Sequence, residues 1–159
     1  TVAILTPYNM QKIAINRDAA ITPPPGCQFG SAQNREIGES KAKAYSVDSF
    51  QGDEADVIIV SLVRNKPTRA QETLSASDSE FIAQPDRLNV MLSRPKRLLI
   101  IVGCWDFLSA CVADVSSATD ADGNYIDPDY GPFKKTIEEL NAMFKGGRAL
   151  KITAQEVLQ

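Results

Sequence analysis

Apolar residues in this chain gather into short dense runs, and amphipathic stretches separate them. The first run, 1–7 (TVAILTP), predicts a strand, and residues 8–20 follow with a helical pattern that sets Met10, Ile13 and Ala14 on one face. Lys41–Val47 reads as a second strand. Val57–Val63 (VIIVSLV) is nearly continuous and β-branched, the pattern of a parallel strand covered on both faces. From Pro85 to Arg94, Leu88, Met91 and Leu92 fall at i, i+3, i+4, so a short helix can dock on a core. Pro95 pushes Arg94 out of the helical region and ends that helix, and Arg97–Val102 supplies another apolar strand. Helices are predicted over Cys104–Ala113 and Pro132–Lys145, the second with Phe133, Ile137, Leu140 and Phe144 facing a core and Gly146-Gly147 stopping it. The tail from Arg148 predicts a last strand or short helix.

Strands alternating with helices give an α/β fold with a mostly parallel sheet. Such sheets bind ligands beyond the carboxyl ends of their strands, which points to the turn after Val47 and the residues after Val63. Residues 22–39, with three consecutive prolines and three glycines, read as a surface loop too polar and broken to be core. The acidic stretch 114–130 is a second surface loop or insertion, and 64–80 is a long exposed connection. A chain of 159 residues makes one domain, 1–159. Its first strand opens without a lead-in, as expected of a fragment of a larger protein.

Composition narrows the function. With 43% hydrophobic and 23% charged residues the chain is an ordinary globular one, and no apolar run approaches the length of a membrane span. Cys27, Cys104 and Cys111 have no C-x-x-C spacing and suit an intracellular, reducing compartment, with Cys104 and Cys111 as small buried hydrophobes. The absence of histidine removes the commonest general base and the usual zinc ligand. A net charge of −3 argues against gripping nucleic acid by field strength alone. The clusters Arg94, Lys96, Arg97 and Arg64, Lys66, Arg69 leave room for a modest phosphate-contacting edge.

Two stretches carry chemistry. In DSFQGDE, Gly52 permits a tight turn with close backbone approach to a ligand, and Gln51 and Glu54 supply hydrogen bonding. Arg87 and Arg94 lie seven residues apart, two helical turns, so both guanidinium groups aim the same way. Arg94, at a frayed helix end beside a buried strand, is placed to reach a ligand across a cleft. Asp120, Asp122, Asn124 and Asp127 are reminiscent of a calcium loop, but the glycine falls in the wrong place and no glutamate closes the frame. That loop reads as solvated surface, and no metal site is predicted. Trp105 reads as a core or edge anchor, and Tyr8 as the better aromatic for touching a nucleic-acid strand.

TPYNMQ at Thr6–Gln11, VDSFQGDEADVIIVSLVRN at Val47–Asn65 and DRLNVMLSRPKRLLIIVG at Asp86–Gly103 occur in the order and spacing of a known family. Together they resemble the second RecA-like domain of superfamily 1B helicases of the Upf1-like and Dna2-like type, over Thr1 to about Leu108. The resemblance implies a RecA-like P-loop NTPase fold, three-layered, lacking its own Walker A motif. It implies that Arg94 is an arginine finger reaching the γ-phosphate of ATP, with Gln51, Gly52 and Glu54 near the nucleotide. It places Ser46, Asp48 and Ser49 against single-stranded RNA or DNA, with Thr6, Pro7 and Tyr8 as a phosphate-meeting turn. ATP and Mg2+ would be held mainly by the first RecA-like domain of the same protein, and no membrane partner is implied. The family carries a small residue and an arginine after the finger where this chain has Pro95 and Lys96, and lysine cannot reproduce a bidentate guanidinium contact. No G-x-x-x-x-G-K-[ST] occurs, so the chain would hold half of a catalytic site and be inactive alone. The implied function is the second motor domain of an ATP-dependent helicase or translocase. The alternative is a degenerate RecA-like binding or scaffold module.

Overall fold

The computed structural model describes residues 1–32, 42–63 and 79–157. The basic trio Arg64, Lys66 and Arg69, most of the 64–80 connection and the end of the 22–39 loop lie outside the described residues. In chain order the elements are β1 (Val2–Thr6), α1 (Asn9–Arg17), β2 (Ala44–Ser46), a 3-10 turn (Asp48–Phe50) and β3 (Ala55–Ser61). After these come α2 (Glu80–Ala83), α3 (Pro85–Ser93), β4 (Pro95–Val102), α4 (Trp105–Cys111), α5 (Gly131–Lys145) and α6 (Ala154–Val157).

The four strands form one parallel sheet in the order β2-β1-β3-β4. β1 has a neighbour on each side and is buried along its whole length. Strand alternation sends Ala3, Leu5, Ile58 and Val60 to one face, where α3, α4 and α5 cover them with Met91, Leu108, Phe133 and Ile137. Val2, Ile4, Val57 and Ile59 face the other way, toward α1. The result is the three-layer, RecA-like α/β plan that the motifs imply.

Several local expectations are corrected. α1 leaves Met10 78% exposed and Ile13 exposed, and Ile15 faces the sheet instead. Polar bonds fix its orientation: the Asn16 amide donates to the Ala44 carbonyl at 2.9 Å and accepts from the Lys43 and Ala44 N–H groups. These satisfy the backbone at the start of β2, a demand that apolar periodicity does not register. The 22–39 loop does contribute to the core. Phe29 is buried beside Val2, where the short strand β2 leaves a place open, and the Val2 N–H donates to the Gln28 carbonyl. The tail ends in a short helix, with Leu150 and Ile152 exposed.

Arg94 keeps helical angles (φ −90°, ψ −19°) despite the proline after it. Pro95 opens β4, a position where a missing N–H leaves no ladder bond unmade. Around the acidic loop, the Asp120 carboxylate accepts the Asn124 and Asp122 N–H groups. The Asn124 backbone bond leads the effects that hold the Asp120 carboxyl below its usual range. Among the described residues no group of three or more His, Cys, Asp or Glu is placed to hold a metal. No helix among them is long and apolar enough to cross a membrane.

Phe50 is fully buried in the core, its ring 5.1 Å from that of Tyr45 on β2. Phe50→Ala opens a cavity at this point and is expected to cost about 3–5 kcal/mol of unfolding free energy, read from urea denaturation midpoints.

Candidate functional site

The first cluster of motif residues lies at the carboxyl ends of β1 and β2. Thr6 is fully buried, and its hydroxyl hydrogen-bonds the Gln11 amide oxygen while accepting the Tyr8 N–H at 3.3 Å. Gln11 in turn donates to the Ser61 hydroxyl at 2.8 Å, joining the end of β1 to the end of β3. Pro7 is buried too, so the outward part of this turn is Tyr8, which is half-buried. Beside it the Ser46 hydroxyl accepts the Ser49 N–H and donates to the Ser49 hydroxyl at 2.8 Å. Asp48 and Ser49 stand exposed on the 3-10 turn.

The second cluster lies at the amino ends of β3 and β4. Ala55 pairs with Pro95, and the Ala55 N–H donates to the Arg94 carbonyl at 3.3 Å. Arg94 therefore sits directly against the end of the Gln51–Glu54 bend. Its Nε is shielded from solvent and has no hydrogen-bond partner among the described residues. The Glu54 carboxylate pairs with the Lys96 ammonium, and both side chains are about half exposed. The Glu54 carbonyl accepts the Ala32 N–H at 2.7 Å. Gln51 and Gly52 are exposed at the tip of the bend.

The structure thus divides the sequence-derived site residues between two edges of the sheet. Thr6, Pro7, Tyr8, Ser46, Asp48 and Ser49 gather at the carboxyl edge, while Glu54 and Arg94 gather at the amino edge with Gln51 and Gly52 on the bend leading there. The rule that ligands bind beyond strand carboxyl ends describes the first group only, because the Asp48–Glu54 segment crosses under the sheet before β3 begins.

Phe81, which the sequence reading did not single out, and Arg87, which it paired with Arg94, join the two turns of the carboxyl-edge group. Arg87 forks onto Asp48, Nε to Oδ1 at 3.0 Å and Nη2 to Oδ2 at 3.3 Å, and its Nη1 hydrogen-bonds the Gln84 side chain. Its guanidinium carbon lies 3.7 Å from the centre of the Phe81 ring, and Phe81 stacks on Tyr8 at 5.5 Å. Phe81 carries no periodic signal toward Arg87, since the chain breaks between α2 and α3 at Gln84-Pro85 and the helical phase is reset.

Comparison with known proteins agrees with the three motifs. A family model described as AAA domain matches residues 1–106. The chain is 41% identical over 66 residues to the DNA polymerase alpha-associated DNA helicase A of Saccharomyces cerevisiae, covering 42% of this chain and 8% of that protein. It is 31% identical over 108 residues to the DNA replication ATP-dependent helicase/nuclease JHS1 of Arabidopsis thaliana, 68% of this chain and 6% of that protein. Over 102 residues it is 32% identical to the regulator of nonsense transcripts 1 homolog of Neurospora crassa, 64% of this chain and 8% of that protein. The chain spans less than a tenth of the length of each of these three relatives.

Gly52 holds φ at +85°, and nothing lies within 4 Å of where a Cβ would stand. Gly52→Ala should therefore cost only the left-handed backbone penalty, about 1 kcal/mol in denaturant unfolding. A loss above about 3 kcal/mol would contradict the open surroundings of the bend.

Proposed function

The chain belongs to the AAA domain family, and on that premise we propose that it is the second motor domain of an ATP-dependent helicase or translocase. The observation that carries this reading is the partnerless Nε of Arg94 beside the Gln51–Glu54 bend. A shielded guanidinium donor with nothing to bond is costly unless an acceptor arrives, and a phosphate oxygen is the acceptor its geometry suits. Arg94 is then the finger on the γ-phosphate, and Gln51, Gly52 and Glu54 line the nucleotide edge. The carboxyl-edge turns with Tyr8, Ser46, Asp48 and Ser49 face single-stranded RNA or DNA, and Thr6 and Pro7 hold that surface in shape.

MgATP, held mainly by a first RecA-like domain of the same protein, supplies the transferable phosphoryl group. This chain's part is to neutralise charge as it spreads over the phosphoryl oxygens, a contribution worth about 10³–10⁵ in rate for arginine fingers. Lys96 stands where the family resemblance implies an arginine, and it pairs with Glu54 as a point charge.

Arg94→Ala in the intact protein is expected to abolish ATP turnover while ATP binding weakens only a few-fold, measured by steady-state hydrolysis and by equilibrium nucleotide binding. Most of the nucleic-acid-stimulated turnover surviving in that variant would remove the finger assignment. The chain by itself should show no hydrolysis above background, because no Walker A motif accompanies it.

A further inference from the structure

Arg87 is held more firmly than a surface cation needs to be. It forms a two-pronged pair with Asp48, a hydrogen bond to Gln84 and a cation–π contact with Phe81, and its side chain is only 20% exposed. Such a fork over an aromatic ring fixes orientation in a way an isolated exposed pair does not. The docking of α3 is already provided by Leu88, Val90 and Met91, which are buried. What Arg87 adds is a connection: Tyr8, Phe81, Arg87 and Asp48 form one column joining the two carboxyl-edge turns to the start of α3.

The other end of α3 is Arg94, seven residues on and about 10 Å away along the helix axis. There the Ala55–Arg94 backbone bond and the Lys96–Glu54 pair tie the same Asp48–Ala55 segment a second time. A helix of this length does not bend appreciably, so moving its first turn moves its last. We infer that Phe81 and Arg87 are positioning residues that transmit strand occupancy at the carboxyl-edge turns to the placement of Arg94, an inference that rests on the motor reading above. Neither touches the nucleotide. A strand that shifts Tyr8 or Asp48 carries Arg87 with it, and α3 re-aims the guanidinium, where a displacement of 1 Å can cost about a hundredfold in rate.

The test compares Arg87→Met, Arg87→Lys and Phe81→Leu with the unaltered intact protein, using an oligothymidylate or oligouridylate single strand as the probe. At saturating strand, the ratio of stimulated to unstimulated ATP turnover should fall about tenfold in Arg87→Met and Phe81→Leu, and about threefold in Arg87→Lys, which keeps charge but loses the fork. The KM for ATP and the strand affinity of nucleotide-free protein should stay within about twofold; a loss of folded protein would instead lower stimulated and unstimulated turnover alike and leave their ratio unchanged. The inference is overturned if the ratio is unchanged in both Arg87→Met and Phe81→Leu, or if KM rises in step with the loss of turnover. Should Arg87→Met melt below the assay temperature, Arg87→Lys and Phe81→Leu decide by the same readings. If the unaltered protein shows no strand stimulation, the motor reading fails and takes this inference with it. If it is stimulated and Arg94→Ala is dead while the Arg87 and Phe81 variants behave normally, only the inference fails.

Discussion

The arrangement depends on one stretch of chain making a long crossing. From Ser46 at the carboxyl edge to Ala55 at the amino edge, the backbone covers about 20 Å along the sheet and about 10 Å across it. Nine residue steps reach about 30 Å when fully extended, so slack is limited. It is consumed by the 3-10 turn, whose Phe50 is buried against Tyr45 of β2, and by the left-handed bend at Gly52. A crossing this tight fixes where each end of the segment must lie. Asp48 stays with the strand ends, and Glu54 is delivered to the start of β3.

α3 runs alongside that crossing in the same sense, from Gln84 near Asp48 to Arg94 beside Ala55. The chain thus contains two side-by-side elements stapled at top and bottom, one a helix and the other an irregular segment carrying most of the proposed contacts. The staples differ in strength. Arg87–Asp48 is reinforced by the Phe81 ring and Gln84, whereas Lys96–Glu54 is an exposed pair of the kind worth at most about 1 kcal/mol. The lower end is also held by the Ala55–Arg94 backbone bond where β3 meets β4, so only its side-chain tie is weak.

The strands and the larger helices were readable because burial on one or both faces leaves a periodic imprint. β3 and α5 show this, with Ile58 and Val60 or Phe133 and Ile137 falling where periodicity places them. α1 misled because its attachment is polar: Asn16 and Gln11 hold it, and Met10 was left facing water. Phe29 was hidden in a proline- and glycine-rich stretch, where a single anchoring aromatic has no pattern to belong to. For the site, the three motifs supplied the candidate residues, but periodicity is silent about which sheet edge a crossing segment reaches. The division into two edges and the Tyr8–Phe81–Arg87–Asp48 column are tertiary facts, made by contacts up to 73 residues apart in sequence (81 − 8).

β4 sends Leu99 and Ile101 into the core, but Leu98, Ile100 and Val102 stand 51%, 39% and 52% exposed, and no further strand pairs with its outer side among the described residues. An apolar ribbon along a sheet edge that is unpaired among the described residues is the kind of template on which strands of separate molecules zip together. An Ile100→Lys substitution would place a charge in the middle of that exposed apolar run, the device by which sheet edges are kept from pairing.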